Sequence, residues 1–365
     1  MENKTLKKIL MLMVEFCVLI GLLTVVVTEN KEYFGVVQHT AQKNMSLESN
    51  QENSTLSGDI HLDRQMGQKV EIEKKLGDTY IKIAKHSKNL FPVNLHEEYL
   101  EKSIMIDIYN MPKESIALED IVFVKEGREC RLKQQNTELS YADTEQHTRQ
   151  ARITLTLDQV YGYELYEDEQ YVYIDCCKPK EVYEHVVVLD AGHGGKDTGS
   201  DACLGKWSEK DYNLDIVQKI ENLWDWPSCK LYVTRREDKK VSLQERVNFA
   251  NQVEADWFIS IHCNSSDEIE GTGLEALCQT NQYKIRSKTM AEACLEQLSA
   301  VSGLTNRGVL DGDAIYIIRN AKVPTVLLEM GFMTDKSDLA YLQQEENRNK
   351  MAETVYRVLK EKMEE

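Results

Sequence analysis

The sequence has few cysteines and lacks the pairs that small structural sites use. Nine cysteines in 365 residues are too few for a disulfide scaffold of this length, and no C-x-x-C pair occurs, so we expect no structural zinc knuckle. The chain also lacks any long basic run to offset its formal net charge of -17, which comes from 44 Lys and Arg against 61 Asp and Glu. Because such a surface repels phosphate backbones, nucleic acid is not an expected partner.

An apolar run near the N-terminus predicts a membrane anchor. Residues 9–27 are almost entirely apolar and are about long enough to span a bilayer. Lysines precede this run while Glu29 and Glu32 follow it, which places residues 1–8 in the cytoplasm and the rest of the chain outside. No small-x-small cleavage motif follows the run, so an uncleaved single-pass signal anchor in the cell membrane is favoured over a cleaved signal peptide.

The composition after this run predicts a linker and then a small domain. Residues 28–75 are rich in Gln, Asn, Ser, Glu and Lys and have no sustained apolar period, so they cannot bury enough surface to offset the entropy lost on ordering. Residues 76–181 contain short alternating or β-branched runs, for example at 103–109 and 152–157. We therefore expect a polar tether followed by a small β-rich module.

Residues 182–365 have the pattern of an α/β domain. Fully apolar runs of strand length alternate with amphipathic helices, which indicates a mainly parallel sheet with helices on both faces. Two helix starts resemble capping boxes, Ser208 with Asp211 and Ser242 with Glu245. In such open sheets, reacting groups gather beyond the carboxyl ends of the strands.

Three polar residues follow directly on predicted buried strands. His193, His262 and Glu329 each lie at such a strand end, so they can converge on one point although they are far apart in sequence. Glu209, in the first turn of the next helix, is the best candidate for a further metal ligand, although an acid there also complements the helix dipole. Two histidines and a glutamate form a catalytic zinc set with an open fourth position. Zn²⁺ there lowers the pKa of water towards about 7, and Glu329 could accept its proton.

The segments around these residues resemble, in order, the motifs of the zinc-dependent N-acetylmuramoyl-L-alanine amidases, a family of bacterial cell-wall hydrolases. They lie at residues 187–195, 208–210, 243–251, 260–264, 306–309 and 324–332. The resemblance covers about residues 184–365. It implies zinc on His193, Glu209 and His262, with Glu329 as the catalytic carboxylate. It also implies peptidoglycan as the substrate, cut at the amide between N-acetylmuramic acid and L-alanine of the stem peptide.

Other roles and functions remain open at the level of sequence. Asn264, Arg246 and Arg307 are candidates for contacting the substrate, but a structural ion pair is an equal alternative for each arginine. The β-rich module is similar in position to an envelope-targeting domain that precedes some amidases, and a plain spacer is the alternative. A zinc peptidase of the same fold and a non-catalytic murein-binding domain are rival functions. Catalysis is favoured because all four predicted site residues are present.

Overall fold

The structure of the protein is a computed structural model, and two β-sheets form the first part of the chain that it describes. The structure describes residues 58–60, 64–85, 93–111, 120–130, 137–143, 149–200, 207–266 and 271–365. The predicted cytoplasmic tail and anchor, residues 1–27, lie outside these ranges. Within them, no helix combines the length and apolar character needed to cross a membrane.

The β-rich module is a sandwich of these two sheets. Its elements are β1 (Gly58–Ile60), β2 (Arg64–Met66), α1 (Lys69–Glu73), β3 (Tyr80–Ala84), β4 (Val93–Glu98), β5 (Ser103–Met111), β6 (Ile121–Lys125), β7 (Arg128–Cys130), β8 (Thr137–Asp143), β9 (Arg149–Thr156), β10 (Gly162–Glu167), β11 (Tyr171–Cys177) and α2 (Pro179–Val182). One sheet has the order β1-β4-β5-β9-β8 and the other β2-β10-β11-β3-β6-β7. All neighbouring strands are antiparallel except β2 and β10.

The core of the sandwich explains the alternating sequence pattern. Successive side chains of a strand point to opposite faces, so every second residue is buried, as at Ile81 and Ile83 of β3. Both sheets contribute to one cluster, which includes Ile81, Ile83, Leu95, Ile104, Ile106, Ile108, Ile153, Leu155, Leu165, Val172 and Ile174. The two sheets of the module therefore share one apolar core.

The module begins earlier than the sequence predicts. Strands β1 and β2 and helix α1 all lie within residues 28–75, which the polar composition assigned to a linker. The two short strands pair with β4 and β10 through backbone hydrogen bonds, which need no apolar side chains. Ile72 of α1 is buried against Tyr166 and Tyr173. The linker prediction is thus wrong for these three elements, because main-chain pairing leaves little trace in composition.

The second part of the chain is an α/β domain. It consists of β12 (His185–Ala191), α3 (Glu209–Leu223), β13 (Cys229–Val233), α4 (Leu243–Gln252), β14 (Trp257–Asn264), β15 (Leu274–Cys278), α5 (Lys284–Ser302), β16 (Asn306–Asp311), α6 (Tyr316–Asn320), β17 (Thr325–Phe332), α7 (Lys336–Leu342) and α8 (Glu345–Glu364). The sheet order is β13-β12-β14-β17-β15-β16. Helix α8 contacts α3 and α5, whereas α4 contacts α6.

The sheet is mixed, which corrects part of the prediction. Strands β13, β12, β14 and β17 are parallel to one another, as expected. Strand β15 runs antiparallel to β17, and β16 runs parallel to β15, so the last two strands point the opposite way. The amino ends of β15 and β16 consequently lie at the same edge as the carboxyl ends of the other four strands.

Both predicted capping boxes are present. The Ser208 amide donates to the Asp211 carboxylate at 2.8 Å at the start of α3. At the start of α4, the Ser242 amide donates to Glu245 at 2.8 Å and the Glu245 amide donates back to the Ser242 hydroxyl at 3.2 Å. These local contacts satisfy amides that have no partner within the helix.

The module and the α/β domain belong to one compact unit, Gly58–Glu365. Tyr99 of the module is buried in the core of the α/β domain. Its hydroxyl accepts from the Val233 amide at 2.7 Å and donates to the Val233 carbonyl at 2.9 Å. Val233 is the last residue of edge strand β13, so Tyr99 supplies hydrogen bonds that a further strand would otherwise make.

Candidate metal centre and active site

Three chain segments converge at the carboxyl edge of the α/β sheet. Strand β12 ends at Ala191 and leads through Gly192 to His193, while His262 lies near the end of β14. Helix α3 begins at Glu209. His262 pairs in register with Glu329 of the parallel neighbour β17. The predicted convergence of these four residues is therefore present.

The three predicted ligands form a compact group. The Glu209 Oε1 atom lies 3.2 Å from His193 Nε2 and 2.9 Å from His262 Nδ1. One donor atom from each residue lies within 4.8 Å of the others. The two imidazole rings are 5.0 Å apart at an angle of 78°, so their nitrogens approach from different directions. Two imidazole nitrogens and one carboxylate oxygen match the donor set of a three-ligand zinc site.

Further hydrogen bonds orient each ligand. Asp197 Oδ1 lies 2.9 Å from His193 Nδ1, which directs the other ring nitrogen of His193 towards Glu209. The Glu209 Oε2 atom accepts from the Ser200 amide at 2.8 Å, and Oε1 accepts from the Cys263 amide at 3.2 Å. Asp197 and Ser200 were not predicted from the sequence; a carboxylate four residues after His193 was the available signal.

The electrostatics of the group suit a cation. Burial alone would lower the pKa of His193, but the carboxylates of Glu209 and Asp197 raise it to about 9. Burial would raise the pKa of Glu209, yet His193 and His262 hold it well below its usual range. Each group thus stabilises the charge of the other, with positive charge favoured where the three donors meet. The residues present therefore fit a divalent metal.

Two glycines leave room for the ligands. A side chain at Gly192 would overlap the imidazole ring of His262. Gly199 has a φ of +66°, and a side chain there would overlap the Glu209 carboxylate and the ring of His193. Only glycine combines this backbone conformation with the absence of a Cβ atom.

A buried polar network supports the loop that carries His193. The carboxylate of Asp190 accepts hydrogen bonds from the hydroxyls of Thr234 at 2.6 Å and Ser260 at 2.7 Å. Arg235 donates to the carbonyls of Ala191 and Gly192, both at 2.9 Å. Asp190 and Arg235 are 1% and 0% exposed, so this network lies beneath the site and is closed to substrate.

Arg246 belongs to the same network, which corrects its predicted contact with substrate. Its guanidinium is paired with Asp190 and donates to the carbonyls of Ala191 at 2.7 Å and His193 at 2.6 Å. The residue is 2% exposed. The alternative interpretation, a structural ion pair, describes this arginine, because its donors are used to hold the loop in place.

Glu329 lies beside the three ligands without being one of them. Its Oε2 atom is buried, and no hydrogen-bond partner for it is found among the described residues. Burial, together with the negative charges of Glu209 and Glu275, raises the pKa of this carboxyl to about 7, although His262 and His193 oppose the shift. An unpaired buried oxygen at the edge of a metal-binding group is suited to contact a reacting molecule.

The side chains of Asn264 and Arg307 both contact Glu275, which was not predicted from the sequence as a site residue. The Asn264 side-chain amide donates to Glu275 Oε2 at 2.9 Å, and the Arg307 Nε atom is paired with Glu275 Oε1. Glu275 lies on β15 directly opposite Glu329. Its position could not be predicted because it depends on the reversed direction of β15.

The α/β domain is similar in sequence to a family of cell-wall amidases and to two proteins of Bacillus subtilis. The Amidase_3 family model, described as N-acetylmuramoyl-L-alanine amidase, matches residues 187–361. The chain is 35% identical over 175 residues to N-acetylmuramoyl-L-alanine amidase LytC of Bacillus subtilis, which covers 48% of this chain and 35% of LytC. It is 33% identical over 181 residues to the uncharacterized protein YqiI of Bacillus subtilis, covering 49% of this chain and 86% of YqiI. The chain thus spans about a third of the length of LytC.

A solved structure is similar to about half of the chain. The catalytic domain of CwlV, an N-acetylmuramoyl-L-alanine amidase from Bacillus (Paenibacillus) polymyxa var. colistinus, is 33% identical. The match covers 49% of this chain and 98% of that domain, with a TM-score of 0.46. The residues that the family model matches, 187–361, include all four site residues.

Proposed function

This chain belongs to the N-acetylmuramoyl-L-alanine amidase family, and we propose that it hydrolyses the amide between N-acetylmuramic acid and L-alanine in peptidoglycan. The convergence of His193, Glu209 and His262 beside Glu329 carries this proposal. All four residues lie within the segment that the family model matches.

Zn²⁺ is the metal that we propose for this site. His193 Nε2, Glu209 Oε1 and His262 Nδ1 would hold it, because these atoms already face one another. Bound there, zinc would supply a Lewis acid that lowers the pKa of water to about 7. The hydrogen bond that Asp197 accepts from His193 and the one that the Ser200 amide donates to Glu209 would keep the ligands in position before the metal binds.

Glu329 is proposed as the group that moves the proton. Its side chain lies on the same sheet face as His262, since the two residues are register partners on neighbouring strands. The Glu329 carboxylate would accept a proton from the attacking water and deliver it to the nitrogen that leaves with L-alanine. Its buried, unpaired Oε2 atom is available for this transfer.

The test is to identify the fragments that the purified full-length protein releases from purified peptidoglycan. Intact glycan strands with free stem peptides that begin at L-alanine are the expected products. Peptides cut internally would instead indicate a zinc peptidase. Binding to peptidoglycan without any release, by protein loaded with zinc, would indicate a non-catalytic binding domain. Either result would refute the amidase proposal.

We also propose that residues 9–27 anchor the protein in the membrane with the α/β domain outside. This proposal rests on the apolar run and the flanking charges, and it places the enzyme beside its substrate. Protease added to intact cells stripped of their wall should digest the region 184–365. Protection of that region would contradict the topology.

A further inference from the structure

A cavity lies where the β-rich module meets the α/β domain. Three segments line it: a turn of the module at residues 99–102, the loop between β13 and α4 at residues 239–241, and one face of helix α4. Its volume is 500 Å³. Cavities that bind small ligands usually measure about 300–1,000 Å³, so this one is large enough for a ligand. The proposed cleavage reaction leaves it unused.

The cavity adjoins the loop that carries the first metal ligand. Strand β13 is parallel to its neighbour β12, so the carboxyl end of β13 lies at the same sheet edge as His193. Lys239 and Lys240 line the cavity, and a Cβ atom on Gly194 would overlap the Lys239 carbonyl, so these segments are in direct contact. The Arg246 guanidinium also lines the cavity and donates to the His193 carbonyl at 2.6 Å. A ligand in the cavity would therefore lie next to the metal site.

The face of α4 combines amide groups with an aromatic ring. Asn248, Phe249 and Gln252 lie on one side of the helix because they are spaced three or four residues apart. No hydrogen-bond partner is found for the side-chain amides of Asn248 and Gln252 among the described residues, and each amide can both donate and accept. Phe249 stacks on Tyr99 with ring centroids 5.5 Å apart, and the rest of its half-buried ring lines the cavity. Such a lining suits a sugar with hydroxyl and N-acetyl groups and apolar C–H faces.

The charges around the cavity favour a neutral ligand over an anion. Lys239 Nζ lies 3.3 Å from Glu101 Oε1, and Arg246 is paired with Asp190. These cations are already compensated, and the chain as a whole has a formal net charge of -17. An anion would therefore meet repulsion that an uncharged sugar does not.

The substrate proposed above contains such sugars. The sugar that carries the cleaved amide is one unit of a glycan strand, so further N-acetylated sugars extend from it across the protein surface beside the metal site. We propose that the cavity binds a neutral N-acetylated sugar of this strand, next to the one whose amide is cleaved. The turn at residues 99–102 forms one wall of this subsite, so the β-rich module takes part in substrate binding. This inference rests on the proposed amidase function.

The first test compares two substrates that carry the same peptide. One carries it on a single N-acetylmuramic acid, and the other carries it on each N-acetylmuramic acid of a six-sugar strand. With rates expressed per amide, the zinc-loaded full-length protein should cleave the six-sugar substrate with a kcat/KM about tenfold higher, because neighbouring sugars add hydrogen bonds in the cavity. The difference should lie mainly in KM.

Two variants place this preference in the cavity. Asn248→Ala/Gln252→Ala removes both amide groups and should bring the ratio close to 1 by raising KM for the six-sugar substrate. Alanine has the highest helix propensity, so this double variant should fold. Asn248→Trp should also bring the ratio close to 1, because the indole would fill space that the sugar needs.

The second test measures binding without cleavage. A tetramer of N-acetylglucosamine, which has no stem peptide, is titrated into the zinc-loaded full-length protein and followed by calorimetry. It should bind, and its Kd should rise about tenfold in Asn248→Ala/Gln252→Ala, because two hydrogen bonds are lost.

Asn349→Ala is the matched control for both tests. Asn349 is an exposed asparagine on α8, so the substitution removes the same side chain outside the cavity and should leave the ratio and the Kd unchanged. Equal kcat/KM for the two substrates in the unaltered protein, or a preference retained in both cavity variants, would overturn the inference while the amidase function stands. No cleavage of either substrate by the unaltered protein would refute the amidase function. Weaker tetramer binding in the double variant would even then support a sugar site in the cavity.

Discussion

Glu329 and His262 are register partners on neighbouring strands, yet they should respond differently to substitution. Glu329→Gln keeps the size of the side chain but cannot accept a proton, so activity should fall by about 10²–10⁴-fold while zinc remains bound. His262→Ala removes a ligand, so zinc and activity should both be lost.

The two variants are compared by elemental analysis and peptidoglycan turnover. Zinc missing from Glu329→Gln would make Glu329 a ligand. Full turnover by that variant with zinc in place would remove its proposed role in proton transfer.

Gly199 should be as important for metal binding as the ligands themselves. A Cβ atom in Gly199→Ala would overlap the Glu209 carboxylate and the His193 ring, so zinc affinity in a chelator competition should fall by at least tenfold. Gly303→Ala is the control, because Gly303 has a similar φ of +73° with open space around it. It should lose about 1–2 kcal/mol of stability from backbone strain and keep its zinc. Zinc affinity in Gly199→Ala equal to that in Gly303→Ala would contradict the predicted effect of the overlap on metal binding.

At the scale of elements, the edge strand β13 depends on a residue of the β-rich module. Tyr99→Phe keeps the ring but removes both hydrogen bonds to Val233, leaving a buried amide and carbonyl without their partner. The expected cost is about 1–3 kcal/mol of unfolding free energy, measured in urea. Zinc affinity should also fall, because the next residues, Thr234 and Arg235, hold the loop that carries His193.

Tyr161→Phe is the matched control for this prediction. The Tyr161 hydroxyl bonds to Asp158 at 2.9 Å, and the Asp158 side chain is 47% exposed, so water can replace the lost contact. This variant should be nearly as stable as the unaltered protein and bind zinc normally. If the two variants behaved alike, Tyr99 would not support the edge strand.

At the scale of the whole molecule, a buried ion pair joins the module to the α/β domain. Lys230 Nζ lies 2.8 Å from Glu97 Oε2, and the Glu97 side chain is 2% exposed. Burial would lower the pKa of Lys230, but Glu97 reverses the effect and raises it. Lys230→Met should cost about 3–5 kcal/mol, because it leaves a buried carboxylate without its partner.

The double variant Glu97→Gln/Lys230→Met provides the comparison. It removes both charges, so it should recover much of the stability lost in Lys230→Met.

Unfolding of the unaltered protein, followed by fluorescence in denaturant, should show one transition for residues 58–365, since the two parts form one compact unit. Two separate transitions in the unaltered protein would show that the ion pair between Lys230 and Glu97 does not make the module and the α/β domain unfold together.

The sequence alone determined the features that depend on neighbouring residues or on a general property of sheets. Capping at Ser208 and Ser242 is local, and both caps formed as predicted. The meeting of His193, His262 and Glu329 was predictable because the carboxyl ends of parallel strands share one edge. The alternating apolar and polar residues of the module also predicted strands, since successive side chains of a strand point to opposite faces.

Only the tertiary structure decided what depends on contacts between distant segments. The reversal of β15 brings Glu275 beside Glu329, and no local pattern records the direction in which a strand enters a sheet. From the sequence, Arg246 was a candidate for binding substrate. In the structure it is buried and paired with Asp190, which is far away in sequence. Tyr99 docks on β13 across an even longer separation. Each of these contacts involves a polar side chain that is buried in the folded protein and therefore needs a hydrogen-bond or ion-pair partner. Burial depends on how distant segments pack, so the need for a partner arises only in the folded chain.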